Sequence, residues 1–238
     1  MIILPAIDLS EGQVVRLTKG DYDKKDIYAS DPAKIAGDFV QQGASYLHVV
    51  DLDGAKDGSL SNYAAVEAIA SVKGLFMEIG GGIRDMGRIE KYLSLGVGRC
   101  ILGTAAVNDP SFLREALAAF GERIAVGVDA RNGMVAVSGW LETTDKPGVE
   151  FCRELLDMGV KTVIYTDISR DGMLSGPNHA LYEELSGLCG LNVIASGGVT
   201  SREDVSRLAA TGIHGAIIGK ALYTGKITLP EALEAAKC

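Results

Sequence analysis

Short apolar runs alternate with amphipathic stretches along the whole chain. Eight runs read as strands: IILPAID (2–8), YLHVVD (46–51), LFMEIG (75–80), RCILG (99–103), IAVGVD (124–129), TVIYTD (162–167), NVIAS (192–196) and GAIIG (215–219). Most are apolar at odd and even positions alike, as parallel strands covered on both faces are. Between them the period becomes helical. In DPAKIAGDFVQQG (31–43), Ile35, Ala36, Phe39 and Val40 share one face, Pro32 opens the segment and Gly43 closes it. NYAAVEAIASV, MGRIEKYLSLG, DPSFLREALAAFG, GVEFCRELLDMG, HALYEELSGL, SREDVSRLAATG and LPEALEAAK follow the later strands. Thr200 and Glu203 have the spacing of a capping box. Strand then helix, repeated eight times without a composition break, predicts the α/β class and one (β/α)8 TIM barrel domain over residues 1–238. A doubly wound open sheet is the alternative, but no glycine fingerprint follows the first strand.

The pattern also repeats at long range. Gly43 and Gly159 lie 116 residues apart, as do Asp51 and Asp167, Gly82 and Gly198, Gly96 and Gly212, and Gly103 and Gly219. The first and fifth strands match at a spacing of 121, where IDLSEGQVV meets VDARNGMVA and Asp8 meets Asp129. Two similar half-barrels, about 1–120 and 121–238, each with a long loop after its first strand, account for both spacings.

Composition narrows the partners. The 238 residues are 47% hydrophobic and 23% charged, ordinary for a globular protein. A net charge of −8 argues against nucleic acid or a membrane surface as partner, but not against a phosphorylated metabolite held by local backbone amides. The N-terminal MIILPAID reads as a strand and not a signal peptide, and no window approaches the ~20 apolar residues of a membrane span. A cytoplasmic monomer with no obligate protein partner is expected. The four cysteines show no C-x-x-C spacing and read as reduced thiols.

In a barrel of this kind the site lies where strands end and helices begin. Asp8 and Asp129 close the first and fifth predicted strands, on opposite sides of the mouth. Such a pair serves as general acid and base if its surroundings push the two pKa values apart. Gly81–Gly82 with Gly103–Thr104, and Gly197–Gly198 with Gly219–Lys220, supply backbone N–H groups without Cβ atoms after strands three, four, seven and eight, as a phosphate requires. Two such sets imply a substrate with a phosphate at each end. Thr166, Asp171 and Gly172 lie at and after strand six, Arg84 after strand three, and His48 within strand two. Trp140, the only tryptophan, follows strand five and is a candidate to stack on a planar ring. Arg16 and Lys19 precede GDYDKKDIYAS (20–30), which reads either as a lid bringing basic groups to a phosphate or as a solvated loop. No histidine pair or cysteine partner has ligand spacing, so no metal is expected, and no Walker A lysine or G-x-S-x-G elbow is present. Cofactor-free acid–base chemistry remains.

LPAIDLSEGQVVRL, HVVDLDGA, EIGGGIRD, GVDARNGMVAVSGW, TDISRDGMLSGPN and IASGGV together resemble the ProFAR isomerases of histidine biosynthesis, in full phosphoribosylformimino-aminoimidazole carboxamide ribotide isomerases. The resemblance runs from residue 2 to about residue 235. It implies a doubled (β/α)8 barrel, a substrate with two phosphoribosyl ends and an Amadori rearrangement of an aminoaldose to an aminoketose. It also implies Asp8 as proton acceptor and Asp129 as proton donor. The residues alone leave that assignment open. Thr166 and Asp171 then orient reacting groups, Trp140 stacks on the aminoimidazole and Arg84 meets a polar or phosphate group. The cyclase subunit of imidazole glycerol phosphate synthase shares the two aspartates, but its first strand usually reads more like P-C-L-D-V, against Pro5-Ala6-Ile7-Asp8-Leu9. A bifunctional relative that also isomerises phosphoribosyl anthranilate tends to S-G-G-I-R, against Gly80-Gly81-Gly82-Ile83-Arg84. A barrel that binds a phosphometabolite without turnover is the non-enzymatic alternative.

Overall fold

A computed structural model of the chain describes residues 1–18 and 21–237, with side chains for all of these except 18 and 21–24. In order the elements are β1 (Ile2–Ser10), β2 (Gln13–Thr18), β3 (Asp21–Ala29), α1 (Pro32–Gln41), β4 (Tyr46–Asp51), α2 (Leu52–Asp57), α3 (Tyr63–Ala70), β5 (Phe76–Gly80), α4 (Met86–Ser94), β6 (Arg99–Leu102), α5 (Thr104–Asn108) and α6 (Pro110–Phe120). There follow β7 (Ile124–Arg131), β8 (Met134–Val137), β9 (Glu142–Pro147), α7 (Gly148–Asp157), β10 (Thr162–Asp167), α8 (His179–Ser186), β11 (Asn192–Ser196), α9 (Arg202–Ala210), β12 (Gly215–Ile218), α10 (Lys220–Tyr223) and α11 (Leu229–Ala235).

Parallel pairing runs β1–β4–β5–β6–β7–β10–β11–β12 and returns from β12 to β1, where Ile2 lies opposite Gly215. These eight strands are the predicted ones, and the fold is the predicted (β/α)8 TIM barrel. Strand parity decides what faces inward. In β1, Leu4 and Ala6 pack inside with Ile101, Ala125, Ile164, Ile194 and Ile217. Ile3, Ile7 and Leu9 pack outside, in the layer that the helices cover. Asp8 shares the parity of Leu4 and Ala6, and Asp129 that of Ala125. Both therefore face the barrel interior. The same rule turns Thr166 inward and Asp167 outward.

The loops expected after the first and fifth barrel strands are instead antiparallel hairpins, β1–β2–β3 and β7–β8–β9. Asp8 and Asp129 are therefore not strand ends, since β1 runs on to Ser10 and β7 to Arg131. Each strand then turns on two residues with positive φ, Glu11 (53°) and Gly12 (76°) in one, Asn132 (52°) and Gly133 (82°) in the other. These are the values of a type I′ turn, whose twist suits a hairpin, and Asn-Gly is its strongest sequence signal. The segment 20–30, read as lid or loop, is largely β3 paired with β2. Tyr28 of β3 packs on Tyr223 with ring centroids 4.8 Å apart. Lys19 lies outside the described residues.

One predicted cap shifts by a residue. The box at the start of α9 is Ser201 with Asp204, because the helix begins at Arg202 and Ser201 takes the extended cap conformation. The Thr200 hydroxyl instead donates to the Gly198 carbonyl at 2.6 Å. Thr228 and Glu231 form a second box at α11.

Candidate active site

The C-terminal ends of the strands open into one cavity of about 260 Å3. Its lining includes Asp8, Arg16, His48, Arg84, Asp129, Trp140, Thr166, Asp171 and Gly172. It also includes Gly81, Gly82, Gly103, Thr104, Gly197, Gly198, Gly219 and Lys220. Every predicted site residue except Lys19 is thus brought to one place.

Asp8 and Asp129 stand on β1 and β7, four strands apart in a ring of eight. Their surroundings differ. The Arg16 guanidinium, carried on β2, donates to Asp8 Oδ2 at 2.5 Å and to the Ala6 carbonyl at 3.2 Å. Both side chains of this pair are mostly buried, at 13% and 14% exposure. Burial opposes the Arg16 charge, yet Asp8, Tyr223 and Asp171 outweigh it and hold its pKa above the ordinary value. Asp129 keeps some solvent contact through the mouth, but the barrel wall surrounds its carboxyl. Burial therefore raises its pKa, against the opposing influence of Trp140, Thr166 and His48. Asp171 is pushed up to about 6, first by burial and then by the neighbouring charges of Asp8 and Asp129, with Arg16 and Lys220 opposing.

The glycine turns match each other in conformation. Gly81 and Gly82 have φ of 109° and 67°, Gly197 and Gly198 of 95° and 87°. A Cβ at Gly82 would run into the Gly54 carbonyl, and one at Gly198 would meet the Gly176 carbonyl. Only glycine lets the chain approach so closely at positive φ, and all four glycines line the cavity. The loops they touch are pinned in matching ways. Asn62 donates to Asp51 at 2.7 Å, and Asn178, 116 residues on, donates to Asp167 at 3.0 Å.

The remaining candidates take defined places. Arg84 is exposed and donates to the Ala55 carbonyl at 3.3 Å. Thr104 Oγ1 accepts from the Ser138 N–H at 2.9 Å, which ties the β8–β9 turn to the rim. Trp140 sits in that turn at φ 72°, a strained value for an aromatic residue, and Arg131 donates to its carbonyl at 3.0 Å. His48 is 8% exposed and its Nδ1 lies 2.7 Å from Glu78 Oε1. Sequence reasoning passed over Glu78 and Arg99. Their signal was a charge at an inward position of an otherwise apolar strand. It also took Thr200, which lines the cavity, only for a cap. Burial pushes the Cys100 and Cys152 thiols up to about 12, so neither is a ready nucleophile. Among the described residues no group of three or more His, Cys, Asp or Glu is arranged to hold a metal, and no helix is long and apolar enough to cross a membrane.

The profile of the family described as histidine biosynthesis protein matches residues 2–228. The chain belongs to that family. Within the histidine biosynthesis protein family, a Brachyspira hyodysenteriae relative is 50% identical over 237 residues, covering 100% of both chains. One from Syntrophomonas wolfei is 49% identical over 241 residues, covering 100% of this chain and 99% of its own. One from Lactococcus lactis is 53% identical over 231 residues, covering 96% and 94%. All three carry the name 1-(5-phosphoribosyl)-5-((5-phosphoribosylamino)methylideneamino) imidazole-4-carboxamide isomerase.

Proposed function

We propose that this chain catalyses the isomerisation for which its relatives are named, the Amadori rearrangement of ProFAR in histidine biosynthesis. The observation that carries the reading is one cavity with an inward aspartate on each side and a glycine turn on each of two opposite rims. A substrate with a phosphate at each end spans those rims. Gly81, Gly82, Gly103 and Thr104 hold one phosphate, with Arg84 at the same rim. Gly197, Gly198, Gly219 and Lys220 hold the other, with Gly172 nearby. Trp140 stacks on the imidazole. The half-barrels at about 1–120 and 121–238 are, on this reading, each responsible for one end.

The chemistry moves only protons, and two carboxyl groups suffice for it. Asp129, whose pKa is raised, gives its proton to the ring oxygen of the aminoaldose. The C1–O bond breaks as the nitrogen lone pair forms the C1=N bond of a Schiff base. Asp8, a carboxylate paired with Arg16, takes the proton from C2. The C–H electrons become the C1=C2 bond of an enolamine. Asp8 then returns its proton to C1 while the C2 hydroxyl proton passes to Asp129, which leaves the aminoketose, both carboxyl groups in their starting states and no net change in atoms. Thr166 steadies Asp129, and Asp171 lies close enough to influence both aspartates.

The test is an assay of the purified chain with ProFAR, beside phosphoribosyl anthranilate and the cyclase substrate. Conversion of ProFAR alone is expected. Folded protein that leaves ProFAR untouched ends this reading. Comparable conversion of the anthranilate points to the bifunctional relative.

A further inference from the structure

Within the barrel, two residues deeper than Asp8, lies a charged trio that the steps above leave unused. His48 pairs in register with Ala6 on one side and Glu78 on the other, and Glu78 pairs with Arg99. Glu78 is fully buried, and Arg99 is 6% exposed. Arg99 Nε and Nη2 donate to Glu78 Oε2 at 3.0 and 2.5 Å. Arg99 Nη1 donates to the Thr162 hydroxyl at 3.1 Å. Packing does not demand these ions. At the matching positions 116 residues on, the second half places Ile164, Ile194 and Gly215. An apolar set avoids the desolvation that a buried ion pair incurs, so stability alone does not explain the trio.

The geometry fixes a proton. Burial acts to raise the Glu78 pKa, but the His48 and Arg99 contacts overcome it and hold the carboxyl below its usual range. Glu78 is therefore a carboxylate that only accepts hydrogen bonds. Nδ1 of His48, facing Oε1, must carry a hydrogen. A neutral imidazole held in this way has its lone pair on Nε2. His48 lines the cavity and lies close enough to influence Asp129 electrostatically.

We infer that Glu78 and Arg99 are positioning residues that hold His48 as the Nδ1–H tautomer, so that Nε2 accepts a hydrogen bond from an N–H or O–H group of the bound substrate. This rests on the proposed isomerase reading for the substrate, though not for the tautomer. Glu78→Gln tests it sharply. Arg99 needs an acceptor, so the glutamine must turn its oxygen to Arg99 and its NH2 to His48. That NH2 donates to Nδ1 and drives the imidazole proton to Nε2, which reverses the polarity shown to the substrate.

The chain has only three histidines, so 15N-histidine NMR at pH 8 reads each tautomer, with His48 assigned by the signal lost in His48→Gln. The expected result is Nδ1–H in the wild type and Nε2–H in Glu78→Gln. KM for ProFAR should rise roughly 10- to 100-fold in Glu78→Gln with kcat within roughly threefold, because a ground-state contact has been inverted. Glu78→Gln should add little to His48→Gln, since both act through one ring. Fully additive effects, or an unchanged KM, overturn the inference. So does an Nε2–H or doubly protonated His48 in the wild type, a spectrum that decides the matter even if Glu78→Gln fails to fold. Folded protein that cannot convert ProFAR overturns the function and leaves the spectra to judge the tautomer.

Discussion

The hairpins after β1 and β7 are built alike and do different things. Each begins with an inward aspartate, makes a two-residue turn at positive φ and returns along the barrel strand. On the returning strand they part in charge at one position. The first hairpin places Arg16 there, beside Asp8. The residue 121 further on is Val137, which is buried and apolar. The segments that follow β4 and β10 differ similarly, with Ala55 in one and Asp171 116 residues on, and both residues line the cavity. Two hairpins of like build thus carry two carboxylates in dissimilar fields, one beside a guanidinium and one under a desolvating wall. That is how equal geometry can yield an acid and a base.

Removing the carboxylates breaks the comparison most severely. Asp8→Asn and Asp129→Asn should each lower kcat by about 1,000-fold, within the span of general acid–base effects, while ligand still binds. They should differ in pH profile. A general acid must be protonated, so activity falls as pH rises through its pKa. The Asp129→Asn variant should therefore lose the alkaline limb that Asp8→Asn keeps, measured as residual kcat/KM against pH. Equal profiles would sink the division of labour between the two aspartates.

Arg16→Val makes the first hairpin resemble the second. It leaves Asp8 mostly buried without its cation, and kcat/KM should fall roughly 100-fold. Steady-state kinetics that match the wild type would show the asymmetry to be incidental. The matched glycines Gly103 and Gly219 give a finer version. Nothing lies within 4 Å of a Cβ at Gly103, whereas one at Gly219 collides with the Arg16 guanidinium. Gly219→Ala should lose about tenfold more kcat/KM than Gly103→Ala, and that excess should vanish when Arg16 is also replaced by valine.

The smallest effect concerns stability. The Asp171 pKa is raised to about 6 in the folded chain, against about 3.9 unfolded. Above that range the folded state carries an unfavourable charge that the unfolded state does not resist. Below both values the group is protonated in either state and the penalty is gone. Asp171→Asn should thus raise the melting temperature at pH 7 to 8 and confer no advantage below about pH 4. Thermal melts across that range measure it.

The eight barrel strands, their helices and the placing of Asp8, Asp129 and Thr166 at the barrel mouth could be read from the chain alone. Apolar period and strand parity are local properties, set by neighbours one or two residues away. The paired glycines were legible for a related reason, since a backbone at positive φ leaves a mark in one residue type. What stayed hidden depends on which strands lie side by side and in what register. The Asn132–Gly133 turn was visible as text, but its partner strand was not recognised. The Asp8–Arg16 pair exists because β2 folds back along β1 with Asp8 opposite Val15. His48, Glu78 and Arg99 are 30 and 21 residues apart, and meet only because β4, β5 and β6 are adjacent in register. Sequence determined the fold and which residues share a face of each strand. Tertiary structure decided which charges touch, and so how two matching aspartates come to differ, because electrostatic interaction follows distance and burial rather than position along the chain.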